Sequence, residues 1–148
     1  DRKMLFAFRP SSVKRLLIIE DDPLIAFDNE YVLTQHGYDV IATVESGEEA
    51  VPYLAEGQLD ALVLDMELAG HMTGRDVARL ARDRNIPVLL VTGRRPDDVA
   101  DLAISCLYKP YRPALLLDAL RGVEIMVAKN RSPRVIRGIE TFWQRKTA

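Results

Sequence analysis

At several points the chain repeats one pattern, an unbroken apolar run that ends in a residue able to do chemistry. Leu16–Ile19 ends in Glu20 and Asp21, Ala61–Leu64 in Asp65 and Val88–Val91 in Thr92, while the run from Ile104 to Tyr108 leads to Lys109. Adjacent acids repel one another, so stability alone gives no reason for Glu20, Asp21 and Asp22 to stand together. Gathered at one rim, Glu20, Asp21 and Asp65 would make a hard-oxygen site for a divalent cation, and Mg²⁺ suits such donors. The cation would relieve their repulsion.

The elements that must position these residues are legible in the punctuation. The Val-, Ile- and Leu-rich runs predict strands buried on both faces, hence a parallel sheet, with Tyr38–Val44 as a more polar edge strand. Asp22 is placed to cap a helix over Pro23–His36, with Gly37 just past its end. Ser46 and Glu49 have capping-box spacing ahead of a helix that Gly57 ends, with Pro52 inside it. Thr73 opens a helix through Arg84, a short helix follows Pro96, and a longer one runs from Pro113 to about Ala128. Five β-α repeats predict an open, doubly wound sheet with right-handed crossovers. In such a sheet functional groups collect beyond the carboxyl ends of the strands. Glu20, Asp21, Asp65, Thr92 and Lys109 are therefore expected in one crevice.

The 148 residues fit one ordinary domain. Residues 1–14 carry a net charge of +3 and residues 127–148 carry +5, which leaves −10 for the middle out of a total of −2. An acidic body with basic ends argues against nucleic acid as a partner of the core. No apolar run approaches the roughly 18 residues that span a bilayer. The opening "DRKMLFAFRPSS" does not read as a secretory signal. Cys106 is the only cysteine, so a cytoplasmic setting is expected. The organisation predicted is an extension over 1–13, the domain over 14–128 and a basic tail over 129–148. Ser132 and Pro133 suit the start of a tail helix whose one face would hold Val135, Ile136, Ile139, Phe142 and Trp143. That face calls for cover, and a homodimer through the tail is the favoured reading, with folding back onto the same domain as its rival.

The segments "LLIIEDDP", "ALVLDMEL", "VLLVTG" and "LYKPY" resemble, in order and spacing, the receiver domain of bacterial two-component response regulators, over about residues 14–128. The resemblance implies the flavodoxin-like strand order 2-1-3-4-5, to which the tail would add an extra helix. It implies that Asp65 is the phospho-acceptor and that Glu20, Asp21, Asp65 and the main-chain carbonyl of Glu67 hold Mg²⁺. Thr92 matches the switch hydroxyl and Lys109 the lysine that contacts the phosphoryl group. The function implied is that of a stand-alone response regulator, phosphorylated by a histidine kinase or histidine phosphotransfer protein. It would catalyse its own phosphorylation and dephosphorylation. Charge masking by Mg²⁺ and Lys109, and an acyl phosphate on Asp65, suit that chemistry. Three features depart from the pattern, one being "TGRR" after strand four, in place of the small residue common after the threonine. Cys106 stands where receivers carry an aromatic switch residue, with Tyr108 two residues on along the same strand face. After Asp65 the usual Pro-Gly turn is replaced by "ELAGHMTG".

Two other readings compete. A phosphorylation-independent pseudo-receiver or adaptor would account for the lost aromatic and the unusual loop. A flavodoxin-like cofactor binder would share the strand order, but no Gly-rich loop follows the first strand. Singly, each residue also has an ordinary role: an acid pair as helix cap, His36 at a helix end, His71 in a solvated loop and Cys106 in the core.

Overall fold

The apolar runs and the caps between them form an alternating series. It comprises β1 (Arg15–Ile19), α1 (Pro23–Gln35), β2 (Asp39–Val44), α2 (Gly47–Glu56), β3 (Ala61–Asp65), α3 (Gly74–Asp83), β4 (Val88–Thr92), α4 (Val99–Leu102), β5 (Ser105–Tyr108), α5 (Pro113–Lys129) and β6 (Ile139–Thr141). The computed structural model describes residues 12–144, so positions 1–11 of the expected extension, with Arg145 and Lys146, lie outside the described residues. The sheet order is β2-β1-β3-β4-β5-β6. The first five strands are parallel, as expected, and β6 is antiparallel to β5.

The helices begin where side chains can take up their first N–H groups. Asp22 Oδ1 accepts from the backbone of Leu24 at 2.9 Å and Ile25 at 3.4 Å. Ser46 Oγ accepts from Glu49 N–H at 3.2 Å, while the Glu49 carboxylate takes the N–H of Glu45 at 2.9 Å. Thr73 and Asp76 form a reciprocal capping box. His36 ends α1, its ring Nδ1 2.8 Å from the Val32 carbonyl. Alternation along the strands sorts the core into two clusters. Leu16, Ile18, Val63, Leu89 and Leu107 pack with Leu116, Leu120 and Val123 of α5. Leu17, Ile19, Leu62, Leu64 and Leu90 pack with Leu54, Val77, Ala81 and Val99 from the helices on the opposite face. Among the described residues no helix is long and apolar enough to cross a membrane.

The expected tail helix is not formed. The chain leaves α5 through Asn130 at a φ of 49°, runs without regular structure, turns at Gly138 with a φ of +92° and enters β6. A left-handed turn at Gly138 ends any helical register there. Beyond it the outer edge of β5 offers unpaired backbone groups, which β6 takes up: Ser105 pairs with Thr141, Cys106 with Glu140 and Leu107 with Ile139. The apolar residues then follow a period of two. Ile139 and Trp143 pack with the α5 cluster and Phe142 with the opposite one. Val135, assigned to the helical stripe, is 98% exposed. The apolar face that would have called for a second copy is used within the chain.

This arrangement separates two substitutions that a helical stripe would make equivalent. Phe142→Ala should lower unfolding free energy by about 1–2 kcal/mol, and Val135→Ala should change it by less than about 0.5 kcal/mol. Urea denaturation of both variants checks the difference; equal losses would restore the stripe.

Candidate functional site

Parallel strands deliver their carboxyl ends to one rim, and the backbone there is knitted tightly. Glu20 N–H donates to the Val44 carbonyl at 3.0 Å, Met66 N–H to Val91 at 2.9 Å and Lys109 N–H to Thr92 at 2.9 Å. Glu20 and Asp65 are each only 3% exposed. Asp65 Oδ1 accepts from the N–H of Glu67 at 3.0 Å, and Glu20 Oε2 from that of Asp22 at 3.1 Å. Gly74 lets α3 start directly against this turn. A Cβ at Gly74 would lie 2.6 Å from the Met66 carbonyl oxygen and 2.9 Å from that of Asp65, so only glycine fits without moving backbone.

Asp21 points toward the loop after β3, where its Oδ2 accepts from Ala69 N–H at 3.3 Å. Glu20, Asp21 and Asp65 each offer an oxygen, and these atoms all lie within 4.8 Å of one another. Three carboxylate oxygens so grouped fit a hard divalent cation such as Mg²⁺. Asp22 stays apart as the cap of α1.

Lys109 reaches back from the end of β5. Its Nζ lies 3.4 Å from Asp65 Oδ1, 3.8 Å from Glu20 Oε1 and 4.0 Å from Glu67 Oε2. Burial works against the charged lysine, but Asp65 and Glu20 outweigh it and hold its pKa above the usual range. Glu20 moves the other way for an acid. Burial, with a hydrogen bond to Asp65, pushes its pKa from an ordinary 4.5 up to about 8. The lysine loop is tied to α1 by Tyr111, whose hydroxyl accepts from Asn29 Nδ2 at 2.9 Å.

Thr92 is fully buried at the end of β4. Its hydroxyl lies 2.8 Å from Glu67 Oε1 and 2.8 Å from the Arg94 carbonyl, and it accepts from Arg94 N–H at 3.1 Å. The structure thus brings Glu20, Asp21, Asp65, Thr92 and Lys109 together, with the carboxylate of Glu67 as an added member. On the neighbouring strand Tyr108 pairs with Thr92, and Cys106, two residues earlier, pairs with Leu90. Cys106 is buried in the core, where desolvation pushes its thiol up to about 11, so it is unreactive at neutral pH. The Tyr108 hydroxyl donates to Glu140 Oε1 at 2.6 Å, and Arg95 binds the same carboxylate through Nε at 2.9 Å and Nη2 at 3.1 Å. The sequence reading missed this trio. Its one signal was that Glu140 is the lone acid of a basic tail.

A carboxyl whose folded pKa is raised binds a proton that the unfolded chain has already released. In metal-free protein Glu20 should therefore make stability fall as pH rises from about 4.5 to about 8, with a slope approaching about 1.4 kcal/mol per pH unit. Chemical denaturation in chelator across this window should give that fall, and Glu20→Gln should flatten it. An unchanged slope in the variant would assign the proton elsewhere.

Comparison with known proteins agrees with this geometry. A response regulator of Mycolicibacterium smegmatis, the DNA-binding response regulator MtrA, is 30% identical over 117 residues, which cover 74% of this chain and 50% of that protein. The phyllosphere-induced regulator PhyR of Methylorubrum extorquens is 34% identical over 109 residues, covering 67% of this chain and 39% of that one. The chain thus spans half or less of the length of these curated relatives. A response regulator receiver protein from Sinorhizobium medicae superposes with a TM-score of 0.67 at 29% identity, over 76% of this chain and 94% of that structure. The family description "Response regulator receiver domain" matches residues 16–121, and with the strand order and rim described above, the chain belongs to that family.

Proposed function

We propose that the protein is a phospho-accepting response regulator of two-component or phosphorelay signalling, taking a phosphoryl group on Asp65 from a histidine kinase or histidine phosphotransfer protein. The single observation that carries the reading is the placement of Lys109 Nζ 3.4 Å from Asp65 Oδ1, beside the acid group of Glu20 and Asp21. An Asp65 carboxylate oxygen attacks the phosphorus of a phosphohistidine. A P–O bond forms, the P–N bond breaks, and the imidazole leaves with the electron pair and takes up a proton. Lys109 stabilises the phosphoryl oxygens as charge gathers on them. Mg²⁺, held by Glu20, Asp21, Asp65 and the main-chain carbonyl of Glu67, supplies when bound the masking of negative charge between acceptor and incoming phosphoryl group. Attack of water on phosphorus later returns inorganic phosphate and the free carboxylate.

The switch is read as Thr92, whose hydroxyl can turn to a phosphoryl oxygen, with Tyr108 and Cys106 on the strand beside it. A donor must cover the rim to reach Asp65. Next to the rim, α1 exposes Leu24 at 76%, Phe27 at 65% and Tyr31 at 60%, the two rings stacked with centroids 6.4 Å apart. This stripe is the surface on which we place the phospho-donor protein. A cytoplasmic setting goes with the same reading.

Intact mass after incubation with Mg²⁺ and acetyl phosphate should rise by one phosphoryl group, and Asp65→Asn should abolish the gain. Full labelling of that variant would displace Asp65 as acceptor. No labelling of the unmodified chain would favour the adaptor reading. In a Mg²⁺ titration, Asp21→Ala should weaken affinity by about tenfold or more, while Asp22→Ala, which removes a helix cap, should leave it within about twofold. Equal impairment would mean that both acids serve the cation.

A further inference from the structure

Glu140 joins three elements. It lies in β6 opposite Cys106, and its carboxylate is held by Arg95 from the β4–α4 loop and by Tyr108 from β5. Two guanidinium N–H groups and a phenol fix that carboxylate in one place. Arg95 in turn stands three residues beyond Thr92, in a turn that the Thr92 hydroxyl organises through both the N–H and the carbonyl of Arg94. The same hydroxyl lies against Glu67. It has one hydrogen, so it donates to one acceptor at a time. A phosphoryl group on Asp65 adds a competing acceptor of higher charge. If Thr92 turns to it, the Arg94 turn loses the group that shapes it, and Arg95 loses the footing from which it holds Glu140.

We propose that β6 is a latch, held shut on the outer edge of β5 by Glu140 in the unphosphorylated protein, and that phosphorylation of Asp65 loosens it through Thr92, Arg94 and Arg95. The proposal rests on the phosphoryl-accepting reading. β6 suits the role because it is only three residues long and half-buried, so it opens at lower cost than the fully buried strands β3 and β4 in the middle of the sheet. Loosening uncovers the backbone of Ser105–Leu107 and frees the Tyr108 side chain. Linkage requires the converse: a weakened latch must favour the phosphorylated state.

Amide hydrogen exchange, read residue by residue on the full chain, tests this. Acetyl phosphate with Mg²⁺ provides the phosphoryl group, which passes to the Asp65 carboxylate as acetate leaves, and intact mass is followed in parallel. The Phe142 amide, which donates to the Ile104 carbonyl at 2.9 Å, should exchange about tenfold faster in the phosphorylated protein, while that of Leu64 in β3 keeps its rate. Glu140→Ala should give the faster Phe142 exchange without phosphate. With Mg²⁺ present it should also bind beryllofluoride, a phosphoryl mimic, about fivefold more tightly than the unmodified chain. Arg95→Ala should do the same from the other side of the contact. A mass gain with unchanged Phe142 exchange overturns the latch and leaves the acceptor reading standing. Equal beryllofluoride affinities in the variants and the unmodified chain also overturn the latch alone, and absence of any mass gain overturns both.

Discussion

Two carboxyl groups, Glu20 and Asp65, are buried side by side at the ends of adjacent strands, and the rest of the site exists to make that tolerable. An isolated carboxylate does not stay ionised in an apolar setting. Here the compensation comes from three directions. Backbone N–H groups of Asp22 and Glu67 bond the two acids, Lys109 reaches both, and Glu20 holds its proton up to about pH 8. Even with Glu20 neutral, Asp21 and Asp65, joined by the nearby carboxylate of Glu67, outnumber the lysine. The surplus of negative charge is what fits the rim to a divalent cation, and it would repel a phosphoryl donor until that charge is masked.

The parallel sheet is the reason these groups meet. Its two faces are covered by helices, so polar side chains can reach solvent only where strands end. All five parallel strands run the same way, which brings residues far apart in the chain to one rim. Precision comes from backbone contacts around it. Gly74 lets α3 start directly against the turn after Asp65, and Asn29 with Tyr111 fixes the loop that carries Lys109 against α1. Side chains on rigid strand ends, backed by such contacts, keep their geometry better than side chains on loops.

The tail turns the far edge of the sheet into a second place where the state of the rim is felt. β6 closes an edge that would otherwise offer backbone groups to any extended chain. Its one acid meets an arginine from the loop that follows Thr92 and the tyrosine of β5. The contact is half-exposed and its ionic part is screened, so its strength lies in the bidentate geometry and the phenol rather than in charge alone.

Residue type and spacing by themselves determined the five parallel strands, the helix caps at Asp22, Ser46 and Thr73, and the rim residues Glu20, Asp21, Asp65, Thr92 and Lys109. These follow from local rules: an apolar run long enough for a buried strand, a capping side chain before a helix, a polar residue where the strand must end. The tail was misread because its apolar residues satisfy a period of 3.6 as well as they satisfy a strand, and only Gly138 argues for a break. Whether residues 139–141 become a helix or a strand depends on the open edge of β5, more than thirty residues earlier in the chain. The carboxylate of Glu67 on Thr92, and that of Glu140 on Arg95 and Tyr108, belong to the same class. Both join positions separated by 25 residues or more, so only the folded sheet, which sets strand ends and edges side by side, decided them.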